Sequence, residues 1–171
     1  KAIRRQRQMC IRDRDLLYPL IKPYVHQIQI GLEIDSWEVG MQNWTSGFEG
    51  EFCERTGYDL IKYLPAMTGK IVGSKEMTER FLWDIRRVQA DLLADNYYGE
   101  FRNLCNQYGL VSYCEPYDRG PMEELQIGSR VDGVMGEFWN GLSAIFQNNL
   151  MMRRTTKLAS SIACLLYTSD A

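Results

Sequence analysis

Histidine occurs once in these 171 residues, at His26, so histidine-based relays and metal clusters have almost nothing to draw on. His26 lies before the first strand candidate, where a solvated or helix-ending role suits it. No GxSxG elbow, P-loop, GxGxxG turn or Cys-His constellation occurs, which removes serine hydrolases, P-loop nucleotide binding and Rossmann-type dinucleotide binding. The five cysteines show no CxxC spacing, so neither a zinc site nor a disulfide framework is indicated. No apolar run approaches the roughly 20 residues of a membrane span.

Both termini read as foreign. The codons CAG ATG TGT ATA AGA GAC AG encode the stretch from Gln8 into Arg14, and their reverse complement encodes "CLLYTS", Cys164 to Ser169. One DNA element in two orientations therefore brackets the chain, and it resembles a transposon adapter used in sequencing-library preparation. Residues 1–14 and 164–171 are accordingly expected to be adapter-derived and 15–163 natural, an internal window of a longer gene. Without those ends, 14 basic and 20 acidic residues remain. That acidic balance argues against nucleic acid or an anionic membrane as partner, since both attract a basic surface.

What is present is an alternation of helical and strand-like runs. "DLLYPLIKPYVHQIQ" carries a helical apolar stripe broken by Pro19 and Pro23. "IQIGLEI", "LVSYCEPY" and "RVDGVMGEFW" are strand candidates. Residues 39–57, rich in glycine and aromatics without clear period, read as a long structured loop. "TGYDLIKYLPAM" predicts a short helix ending near Pro65 and Gly69. The stretch from Ser74 to Gly109 predicts one long helix, capped by Ser74, with Met77, Phe81, Ile85, Val88, Leu92 and Leu93 on one face. "TTKLASSIA" begins another. Such alternation points to a parallel sheet with helical crossovers. In a barrel of that kind, acids at strand C-terminal ends gather on one rim, and Glu38, Glu115 and Glu137 each follow an apolar run.

Several residues are candidates for chemistry, each with a plainer alternative. In "DSWE", Asp35 and Glu38 flank Trp37. Burial beside the indole would raise the proton affinity of a carboxyl group and suit it to protonate a leaving oxygen. The same four residues also suit a turn with a solvated Glu38. Trp37, Trp44, Phe48 and Phe52 could stack on sugar rings, or pack in a core. Glu115 and Glu137 recur beside aromatics and glycine, where carboxylates bind hydroxyls or a hard cation such as calcium. Asp84 on the long helix is expected to pair with an arginine one turn away.

Taken in order, "IDSWEVGMQNWT", "GYDLIKYLPAMTG", "RFLWDIRR", "YCEPYDRGP", "GEFW" and "KLASSIA" resemble glycoside hydrolase family 106, the α-L-rhamnosidases, across essentially all of 15–163. The resemblance implies an α/β fold, here a partial (β/α)8 TIM-type barrel of about three strands with their helices. It implies an inverting hydrolase of terminal α-L-rhamnosides in bacteria that degrade plant glycans, a carbohydrate partner, a calcium ion at the sugar, and a periplasmic or extracellular setting. Carried over by motif, Glu38 is the general acid, and Asp35 and Asp84 support the site. Trp37 and Trp44 are expected at the sugar, and Glu115 and Glu137 are sugar-binding or calcium-site candidates. In the family a second glutamate follows "KLASSIA" and activates water. Here the adapter sequence stands in its place, so the chain as written is expected to lack the base and to be inactive. A non-catalytic carbohydrate-binding module and a barrel glycosidase for another sugar are the alternatives.

Overall fold

The computed structural model describes residues 16–137 and 150–166, with side chains of the last stretch described over 154–165. Three short strands, β1 (Gly31–Ile34), β2 (Val111–Cys114) and β3 (Gly133–Val134), form a parallel sheet in that order. Each lies inside one of the three apolar runs named above. The result is a mixed helix and strand architecture compatible with an α/β fragment; among the described residues the sheet stays three-stranded.

The register places Glu33, Tyr113 and Gly133 side by side, and Ile34, Cys114 and Val134 on the opposite face. Two glycines on the first face are sterically required. A Cβ on Gly31 or on Gly133 would stand 2.5 Å from the Tyr113 ring, which both neighbours leave room for.

The connection from β1 to β2 carries the first core. Residues 39–57, expected as loop, contain helix α1 (Phe48–Thr56), bounded by Gly47 and Gly57 at φ 85° and 80°. Phe48 and Phe52, one turn apart, are its buried face, and they join Leu60, Phe81, Ile85 and Val88. Phe52 meets Tyr58 and Phe81 at ring separations of 5.1 and 5.9 Å. Residues Ile61–Thr68 form a 3-10 helix rather than an α-helix. Pro65 inside it has no N–H to donate, and Gly69 closes it.

Helix α2 (Lys75–Leu93) begins as expected, with the Ser74 hydroxyl accepting from Met77 N at 3.1 Å. Phe81, Ile85 and Val88 are buried, but Met77 is 45% exposed because the first core ends short of it. The expected single long helix is interrupted. A π-helical turn, Ala94–Gly99, separates α2 from α3 (Glu100–Gln107). Leu92 accordingly packs on the first core and Leu93 on a second, built from Ala94, Tyr98, Cys114, Ile127 and Val131.

Helix α4 (Glu124–Gly128) precedes β3, and α5 (Leu150–Leu166) includes the expected "TTKLASSIA" but starts before it. Leu158 and Ile162 of α5 pack on Tyr117 and Val134. The leucine stripe at the start behaves differently from its reading: residues 16–21 are helical, yet Leu16, Leu17 and Leu20 are exposed. No described helix is long and apolar enough to cross a membrane.

Candidate active site

Parallel strands send their C-terminal ends to one side, and here that edge delivers a cluster of acids around a phenol. The ladder continues one residue past the strands, where Glu115 N donates to Ile34 O at 3.0 Å. This bond brings the segment leaving β1 alongside the segment leaving β2. Ser36 N lies 2.7 Å from Asp35 Oδ1 and 3.2 Å from Glu115 Oε2, so one backbone donor serves two carboxyl groups. Trp37 N then donates to Tyr117 O at 3.2 Å, tying the two segments a second time.

Glu115 is 6% exposed, and burial pushes its carboxyl above the usual carboxylate range. The nearby Tyr117 opposes that shift, whereas Asp35, by hydrogen bond and by charge, and Glu137, by charge, reinforce it. The Tyr117 hydroxyl is buried without a hydrogen bond of ordinary geometry. It faces Glu115 and Glu137 at longer range, and burial, followed by those two carboxylates, holds it protonated. Glu115 and Glu137 thus both act on Tyr117, and Asp35 joins them through Glu115. Sequence reading did not single out Tyr117. The signal was its spacing: two residues beyond Glu115 in an extended run, it returns to the same side.

Asp118 has φ 104°, the only non-glycine positive φ among the described residues. Such a conformation costs on the order of 1–3 kcal/mol and is characteristic of functional loops. It turns the chain so that Gly120 meets Trp37, where a Cβ would stand 2.6 Å from the indole Cδ1.

The remaining expected residues divide. Trp37 is half-buried, and its indole N–H donates to Gly40 O at 2.6 Å. Glu38, next to it, is exposed, so the burial beside an indole anticipated for its carboxyl is not what the structure provides; the indole turns toward Tyr97. Trp44 is 48% exposed, leans on Phe48 at 5.5 Å and lines a shallow cavity of about 470 Å³ with Thr45, Ser46, Glu49 and Asp59. Asp84 does not pair with an arginine. Its Oδ2 accepts from the Tyr58 hydroxyl at 2.8 Å in the first core, while Arg80 and Arg87 pair with Glu76 and Asp91. None of its described bonds reaches Asp35 or Glu115. Phe138 and Trp139, expected beside Glu137, lie outside the described residues.

The sequence of this edge matches a known group. The family description of α-L-rhamnosidases, glycoside hydrolase family 106, matches residues 26–169. The chain belongs to that family. It is 49% identical over 132 residues to a Formosa agariphila protein that carries the provisional name of a beta-glucuronidase. That alignment covers 77% of the chain and 11% of the relative. It is also similar to the solved rhamnosidase from Novosphingobium sp. PP1Y, at TM-score 0.67 and 33% identity, covering 78% of this chain and 13% of that one. Family membership and structural likeness both support a glycoside hydrolase.

The described residues do not by themselves fit a calcium site. No group of three or more His, Cys, Asp and Glu among them is arranged to hold a metal ion. Calcium takes about 6–8 oxygen ligands, and Asp35 and Glu115 already share a donor with each other.

Proposed function

We propose that this chain is an internal segment of the barrel of an inverting α-L-rhamnosidase that removes terminal α-L-rhamnose from plant glycans outside the cytoplasm. The observation that carries this reading is the linked set of Asp35 with Glu115, and of Glu115 and Glu137 with Tyr117, beyond the C-terminal ends of three parallel strands and at "DSWE". Carboxyl groups so placed accept hydrogen bonds from the hydroxyls of a sugar ring seated over the strand ends. Glu38, exposed next to them, protonates the glycosidic oxygen as the bond to the leaving group breaks.

An inverting hydrolase also needs a base, about 6.5–9.5 Å from the acid, with water between it and the anomeric carbon. Glu115 is less suited, because burial and its acidic neighbours raise its carboxyl above the usual range and so disfavour its charged form. We assign the base to a glutamate of the longer protein that is not among these 171 residues, and the chain alone is expected to be inactive.

Rhamnose is favoured over glucuronate by charge. Among the described residues, the ionisable groups that shift Glu115 and Tyr117 are carboxyl or phenol groups, with no cation among them. A uronate would bring another negative charge to that cluster, whereas a neutral 6-deoxy sugar brings none.

Replacing Glu38 by Gln in the full-length protein tests the assignment. Hydrolysis of rhamnosides with poor leaving groups should fall by about 10²–10⁴, while activated aryl rhamnosides should suffer far less. Unimpaired turnover of the poor substrates removes Glu38 from the role. The second reading, favoured by the burial of Glu115 and the upward shift of its carboxyl, makes Glu115 the donor; Glu115→Gln would then show that leaving-group pattern and Glu38→Gln would not.

A further inference from the structure

The acid proposed above stands on an exposed segment, and an exposed carboxyl has to be aimed. We propose that Tyr97, presented by the π-helical turn, is a positioning residue that orients Trp37 and through it the Glu38 carboxyl. This inference rests on the reading of Glu38 as the proton donor.

Three elements grip the Trp37 indole. Its edge-on partner is Tyr97, with ring centroids 6.0 Å apart and planes at 85°. Its N–H is bound by Gly40 O at 2.6 Å, and Gly120 leaves its Cδ1 side just enough room. With Trp37 N also bonded to Tyr117 O, the residue before Glu38 is held by both its backbone and its ring. Glu38 itself is exposed, so Trp37 is the fixed point from which its direction follows.

The π turn is what brings Tyr97 there. Successive residues Tyr97 and Tyr98 both face inward, with rings 5.0 Å apart at 85°. Tyr98 is fully buried in the second core, and Tyr97 reaches past it to the indole. The turn is anchored by Asp95, which accepts from Arg130 Nε at 2.9 Å. At its end, Gly99 avoids crowding the Ala94 carbonyl, which a Cβ would approach to 3.3 Å. Such i→i+5 turns are uncommon and gather at functional sites.

The experiment compares Tyr97→Leu, Tyr97→Phe and Glu38→Gln in the full-length protein, on aryl α-L-rhamnosides with a good and a poor leaving group. Misaiming a general acid by about 1 Å costs up to about 10²-fold. Tyr97→Leu is therefore expected to lower kcat on the poor leaving group by about 10- to 100-fold and on the good one by less than about 3-fold, with little change in KM. Tyr97→Phe, which keeps the edge contact, should restore turnover. Equal losses on both substrates, or a Tyr97→Phe variant as impaired as Tyr97→Leu, overturns the proposal. Should Glu38→Gln itself show no leaving-group dependence, the acid assignment fails, and hydrogen exchange decides on Tyr97. Faster exchange over residues 35–40 in Tyr97→Leu than in Tyr97→Phe supports its hold on the segment; identical exchange overturns it.

Discussion

The carboxyl groups of Asp35 and Glu115, 80 residues apart in sequence, are bridged by a single backbone N–H, that of Ser36, at 2.7 and 3.2 Å. Strand pairing does this: the residue after β1 and the residue after β2 come level because the ladder runs on to Glu115 N and Ile34 O. The pair is crowded with negative charge and partly removed from water, and its energetics follow from that.

Glu115 should make the protein less stable as pH rises. Its folded-state proton affinity is raised by burial and by Asp35 and Glu137, so its favourable contribution is complete below the unfolded glutamate pKa, about 4.3, and fades as the folded carboxyl ionises. Glu115→Gln carries no such penalty. Urea midpoints measured from pH 4 to pH 8 should move apart, with the Gln variant gaining on the native protein as pH rises.

Asp132 should act in the opposite sense. Burial alone would raise its carboxyl, but the Ser112 N–H and hydroxyl, at 3.0 and 2.8 Å, and Arg102 Nε, at 2.7 Å, outweigh it and hold it low. Its stabilisation is therefore present above the unfolded Asp pKa, about 3.9, and is lost as pH falls through the lower folded value. Asp132→Ala strands the Ser112 N–H and should cost about 1–3 kcal/mol at pH 7. The deficit should shrink in acid, which chemical denaturation at pH 7 and pH 3 would reveal.

The two aromatic residues of the 39–57 stretch should separate cleanly. Phe52 is fully buried, and Phe52→Ala should cost about 3–5 kcal/mol in unfolding free energy. Trp44 is half-exposed, so Trp44→Ala should cost under about 1.5 kcal/mol, the range of an aromatic pair contact. Thermal melts of both variants would check the ranking.

Adding one methyl group to the sheet should be felt at Gly133. The Tyr113 ring lies across both Gly31 and Gly133, so a new Cβ meets it at 2.5 Å and must displace it, and Gly133→Ala should destabilise by about 1–3 kcal/mol. The double change Gly133→Ala with Tyr113→Leu should recover part of that loss, as a cycle of unfolding measurements would show.

The strand ends were legible because short β-branched runs stopping at Asp35 and Glu115 announce themselves, and the third run likewise contains β3. Helix α1 was hidden because its inner face consists of only Phe48 and Phe52, diluted by glycine and glutamate. The π turn was hidden for a different reason: which carbonyl an N–H chooses there is decided by Tyr98 seating in the second core, a contact with residues distant in sequence. Glu38 illustrates the limit at the site. Its neighbour Trp37 stands out in the sequence, but where the indole points depends on Tyr97 and Gly120, which no local spacing reveals.

The π turn also leaves a mark on how this helix can change length. An i→i+5 turn holds one residue more than an α-turn, so Ala94–Gly99 stores a surplus residue inside an otherwise regular helix. Deleting a single residue there would let the helix close into uniform α-geometry with no break in the chain. The residues from Glu100 to Gln107 would then keep their facing, with Cys105 still turned inward, and only the turn itself would change. A relative lacking that one residue would therefore keep both flanking helices in place and lose only the reach of the turn toward Trp37.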